Sequence, residues 1–98
     1  MTHNDHWEPI PRKKVTLVWQ WLKNAGLTIS KQTFQKWNKV HNMRIAGYEY
    51  QDIAKSMNYS PRTSQSYYFR AKKCLECYEK NDIDSILKWV KRWGHYGK

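Results

Sequence analysis

Cys74 and Cys77 stand three apart, a spacing that brings two thiols to one side of a helix. Such a pair is half of a metal site, a redox couple, or simple packing. A structural zinc site needs about four ligands. The sequence has no second cysteine pair, and His41 and His95 would join only if the fold brought them close. Nothing around the pair reads as a thioredoxin-like strand–helix unit, so ordinary helical thiols are the expectation. His3, His6, His41 and His95 share no spacing with the eight Asp and Glu residues, and four scattered glycines build no phosphate loop. The expectation is a protein without catalysis, metal or cofactor.

Other side chains are better organised. Arg62, Gln65, Ser66 and Phe69 recur at the spacing of one helix side, and Arg70, Lys72 and Lys73 follow. If Tyr68, Ala71 and Leu75 point inward, then Arg62, Gln65, Ser66, Phe69, Arg70 and Lys73 point outward. Arginine pairs bidentately with guanine, glutamine with adenine, and an exposed phenylalanine can lie on a thymine methyl. Arg62, Gln65, Ser66 and Phe69 are the base-reading candidates. Lys55, Thr63, Arg70, Lys72 and Lys73 are the phosphate candidates.

The whole chain supports a polyanionic partner. Its 98 residues carry 18 Lys and Arg against eight Asp and Glu, a formal charge of +10. That field gathers nucleic acid or an acidic membrane surface. Six Trp and seven Tyr argue against disorder and for a small core of bulky rings. A mean hydropathy of −0.97 excludes an integral membrane protein. Residues 1–11 are polar and show no apolar signal segment, so a cytoplasmic location is expected.

The elements that must position these residues read as all helical. Residues 1–12 form an irregular arm containing Pro9 and Pro11, with Trp7 folding back as an anchor. From Lys13, the residues Leu17, Val18, Trp21, Leu22 and Ala25 recur at helical spacing, although Val15, Leu17, Trp19 and Trp21 also alternate as in a strand. Ser30 caps a second helix carrying Phe34, Trp37, Val40, His41 and Ile45 inward and ending before Gly47. A short helix over residues 50–57 turns Ile53, Ala54 and Met57 inward. Asn58-Tyr59 makes a turn, and Ser60-Pro61 opens the next helix with a cap and a proline at its first position. That helix carries Tyr68, Ala71, Leu75 and Tyr78 on one face and runs to Lys80. After Asn81-Asp82, Ile83, Ile86, Leu87, Val90 and Trp93 mark a last helix, and residues 94–98 read as a frayed tail. The expected fold is a compact all-α bundle of about five helices, a single DNA-binding domain over residues 13–93.

Residues 47–63 have the layout of a helix-turn-helix: Ala54 where the helices touch, Ile53 and Met57 sealing the contact, and a sharp start at Ser60 and Pro61. Ile53-Ala54, Asn58-Tyr59-Ser60, Thr63, Ser66, Arg70-Ala71-Lys72-Lys73 and Leu75 resemble the C-terminal helix-turn-helix of bacterial sigma factors. Related modules of phage late-transcription regulators and response-regulator effector domains are similar. The resemblance covers residues 47–78, and nothing else resembles the rest of a sigma factor. Ser64 departs from it, standing where that family usually has a β-branched or aliphatic residue, with Tyr67 and Tyr68 available to fill the space. The resemblance implies double-stranded DNA as partner and regulation of transcription, in a phage or other mobile element.

A weaker echo lies upstream. Residues 27–37 resemble a turn into a recognition helix, as in excisionases and small phage repressors, after a turn of about two residues. Lys31, Gln32, Gln35 and Lys36 would then form a second DNA surface; the plainer reading has Ser30 capping a supporting helix. Trp89 and Trp93, four apart beside Lys88, Lys91 and Arg92, are candidates for a homodimer interface. The alternatives are a recombination, excision or DNA-packaging accessory factor, and a protein-interaction module docking on RNA polymerase or a sigma factor.

Overall fold

The computed structural model describes residues 9–90. Among them the chain forms five helices and no strand: α1 (Arg12–Asn24), α2 (Lys31–Ile45), α3 (Tyr50–Met57), α4 (Pro61–Lys80) and α5 (Ile83–Val90). The anchoring role expected of Trp7, the dimer candidate Trp93, and the tail with His95 lie outside the described residues.

Each of the first four helices stops where the chain takes up a left-handed residue. Gly26 (φ +102°) and Gly47 (φ +106°) end α1 and α2, and Asn58 (φ +60°) and Asn81 (φ +52°) end α3 and α4. After α1, the amides of Gly26 and Leu27 donate to the carbonyls of Lys23 and Leu22, at 3.0 and 3.1 Å. The same closure follows α2, from Gly47 and Tyr48 to Arg44 and Met43. These bonds satisfy carbonyls that a helix end would otherwise leave unpaired. Leu27 and Leu22 are both buried, the apolar contact that commonly accompanies this geometry.

The period of α1 settles the choice between strand and helix. Val15, Val18 and Leu22 are buried, three and four apart. Leu17 falls on the opposite side and is 52% exposed, so its expected inward position is corrected. Ile83, in the first turn of α5, also faces solvent in large part, while Ile86 and Val90 are buried. The connection from α1 to α2 spans residues 25–30, longer than the expected two-residue turn, because Leu27 and Ile29 are drawn into the core on the way.

Trp37, Phe34, Leu22, Ile53, Leu75 and Ile86 are the bulkiest fully buried apolar residues. Helix α4 is the spine, touching α1, α2, α3 and α5. At its far end the indole of Trp21 donates to Asn81 Oδ1 at 3.0 Å and meets Tyr78 edge-on, fixing α1 to the α4 terminus. Asp82 then caps α5, accepting from the Ser85 amide at 3.1 Å and the Ser85 hydroxyl at 2.7 Å. These two bonds hold the Asp82 carboxyl below its ordinary pKa.

Candidate nucleic-acid interface

Helices α3 and α4 are joined by residues 58–60. Asn58 turns the chain in the left-handed region, which asparagine tolerates better than most residues. The Tyr59 amide closes α3 by donating to the Ala54 carbonyl at 2.8 Å. Ser60 opens α4: its hydroxyl oxygen accepts from the Thr63 amide at 3.0 Å and donates to Thr63 Oγ1 at 2.9 Å. Pro61 occupies the first turn, where a missing amide costs nothing. Ala54 and Ser64 are both buried and both small, which lets the two helix axes approach closely.

Ser64 fits its position by bonding locally. Its hydroxyl donates to the Ser60 carbonyl at 3.2 Å, so the fully buried oxygen is satisfied within the helix. Tyr67 fills the flank, edge-on to Tyr59 with ring centres 5.2 Å apart and tilted against Trp37 at 6.3 Å. Tyr68 stacks on the buried His41 at 5.4 Å, the planes 12° apart. His41 is thus a core residue, with Nδ1 lying 3.1 Å from Asn42 Oδ1.

The outward side of α4 is a polar and cationic row. Arg62, Gln65 and Ser66 are exposed, Phe69 is 47% exposed, and Lys73 continues the row half-buried. Phe69 is braced from beneath by Tyr68, edge-on at 5.2 Å. Lys55 is exposed on α3.

Three expected phosphate contacts sit differently from one another. Arg70 turns out not to point outward. It is half-buried, with its guanidinium 5.4 Å from the Trp37 ring centre and 5.7 Å from that of Tyr67. Burial lowers its pKa from the ordinary arginine value, with the neighbouring Tyr67 opposing the shift. The cause of the misplacement is tertiary: α2 brings an indole to that flank, and a guanidinium stacks on it favourably. Thr63 is partly committed to the Ser60 cap, and Lys72 lies half-buried on the other border of the row.

The upstream candidates form a separate face. Lys31, Gln32, Gln35 and Lys36 are all exposed, but α2 turns Trp37 and His41 towards α4, so this polar side looks away from the α4 row. Lys31 and Lys23 both lie over the Trp19 ring, at 5.8 and 5.0 Å, and the Trp19 indole donates to the Ile29 carbonyl at 2.8 Å. Trp89 packs partly buried against the core, so much of its surface is already in use.

Cys74 and Cys77 are buried free thiols on the inner side of α4. Burial pushes the Cys74 thiol well above the ordinary thiol range and raises that of Cys77 as well, which favours the protonated form of both. Among the described residues no three His, Cys, Asp or Glu side chains converge on a point that could hold a metal ion. None of the described helices is long and apolar enough to cross a membrane.

Residues 42–75, from the last turn of α2 through most of α4, match the family model described as sigma-70, region 4. The segment is a sigma-factor-like helix-turn-helix. This sigma-like motif is a DNA-binding fold of the transcription machinery, and here it is built into an all-helical bundle. No curated protein and no solved structure matches the chain.

Two features of the surroundings were not legible from the sequence. One is Asn42, whose side chain grips the backbone of Ile10 from 32 positions away, accepting from its amide at 2.8 Å and donating to its carbonyl at 3.1 Å. The other is Arg44, which lies over the Tyr50 ring at 4.7 Å and donates to the Tyr48 carbonyl, tying the end of α2 to the start of α3. Neither carries a local sequence signal.

Proposed function

We propose that the protein binds double-stranded DNA in a sequence-specific manner and regulates transcription. Helix α4 would lie in the major groove, where Arg62, Gln65 and Ser66 read base edges and Phe69 meets a thymine methyl. Lys73, Lys72 and Lys55 would neutralise flanking phosphates. The observation that carries this reading is the exposure of Arg62, Gln65, Ser66 and Phe69 as one row on a helix braced by four others. The charge of +10 supports it independently. Assignment to a phage or mobile element rests on the resemblance to phage late-transcription regulators.

Binding-site selection on the purified chain, followed by titrations of cognate and random duplexes, tests the proposal. Arg62→Ala is expected to cost about 1–3 kcal/mol on the selected site and to relax preference at one base pair. Lys73→Ala is expected to weaken all duplexes alike and flatten the salt dependence. Equal losses on cognate and random DNA for Arg62→Ala would refute base reading. The match to sigma-70 region 4 favours one second reading, contact with RNA polymerase, which a pull-down in the presence of nuclease would separate from DNA bridging.

A further inference from the structure

On the flank of α2 that faces away from α4, the chain forms an open groove of about 620 Å3. One wall is the stretch from Ile10 into the first turns of α1, held in place by the two bonds between Ile10 and Asn42. The other wall is a stripe along α2, where Gln35, Lys39 and Met43 recur at four-residue spacing, and Tyr48 closes the end. The volume lies within the range of roughly 300–1,000 Å3 typical of ligand sites.

The chemistry of the walls is asymmetric. Met43 supplies apolar surface over a floor of the largely buried Val15 and Ile10, while Arg12 and Lys39 bring positive charge to the lining. Among the described residues no carboxylate lines the groove, and neither cation forms an ion pair. Among the described residues the cations seen in ion pairs, Lys14 and Arg44, lie outside the lining.

We propose that this groove binds an acidic peptide segment of a protein partner, with an apolar side chain seated against Met43 over the Val15 floor and carboxylates set against Arg12 and Lys39. Nucleic acid fits the same charge less well. A phosphate backbone gains nothing from an apolar recess, whereas a leucine-sized side chain is desolvated there. The groove also lies on the opposite side of α2 from the Trp37 and His41 contacts to α4, so it stays open while the α4 row is occupied. The chain would then hold DNA on one side and a protein on the other.

The test is an NMR titration of the full 15N-labelled chain with three probes. They are a short Asp/Glu peptide with central leucines, the same peptide with serines in their place, and a random-sequence DNA duplex. The leucine peptide is expected to shift the amides of Gln35, Lys39, Met43 and Tyr48 and to bind about tenfold more tightly than the serine peptide. Met43→Ser is expected to abolish that tenfold difference while leaving DNA affinity unchanged. Lys39→Gln is expected to weaken both peptides and keep the difference between them. Three results would overturn the proposal: equal affinity for the two peptides, shifts scattered over the whole basic surface, or groove amides that answer to DNA and not to the peptide.

Discussion

Ser30 and Ser60 begin their helices with the same pair of bonds. Each hydroxyl oxygen accepts from the amide three residues on, Thr33 at 3.1 Å and Thr63 at 3.0 Å. Each donates to that threonine's hydroxyl oxygen, at 2.8 and 2.9 Å. From there α2 and α4 part company. Four residues past the cap, α2 buries Phe34 and α4 buries Ser64. Further along, α2 sets Trp37 and His41 inward where α4 sets Tyr67 and Ala71. Large inward residues make α2 a wall of the core. Smaller ones let α3 sit close against α4, which leaves the far side of α4 free to meet a partner. A cap therefore decides where a helix begins, while the size of its buried side chains decides what it does.

That contrast can be broken most directly at Trp37. Trp37→Ala is expected to cost about 3–5 kcal/mol of stability by urea unfolding, because a fully buried indole leaves a cavity that the core cannot close. Ser64→Ala should cost only about 1 kcal/mol or less, the net value of one buried hydroxyl bond. Similar losses at both positions would show that α4 is as tightly filled as α2.

The caps sharpen the comparison further. Ser30→Ala and Ser60→Ala are each expected to lose about 1 kcal/mol of stability, because the bonds are equivalent. In gel-shift titrations, only Ser60→Ala should also weaken DNA binding, since it loosens the first turn that presents Arg62. A matching loss of affinity for Ser30→Ala would make α2 a DNA-contacting helix. The smallest expected effect is at Phe69. Replacing thymine by uracil in the selected site should cost about 0.8 kcal/mol, the value of one buried methyl-sized group. Phe69→Ala should erase that difference.

Local signals were readable, and positions set by distant neighbours were not. The sequence places α3 over residues 50–57 and α4 from Pro61 to Lys80, as observed, since asparagine stops, a serine cap and a first-turn proline all act within a few residues. Leu17 and Ile83 were misplaced because apolar residues commonly remain on the surface, where burial depends on the partner helix and not on hydrophobicity. Arg70 belongs to the same class. Its spacing allows an outward position, and only the indole that α2 delivers pulls it sideways. The grip of Asn42 on Ile10 is beyond any local pattern, since an amide on a helix reads equally well as a solvated surface group.

The two sheltered sulfurs give the molecule a built-in clock. Protonated and packed on the inner side of α4, they are closed to electrophilic reagents as long as that helix stays seated. Labelling speed with a thiol reagent therefore reports how often the helix lifts away, and a bound duplex that clamps it down would slow the reaction without touching either sulfur.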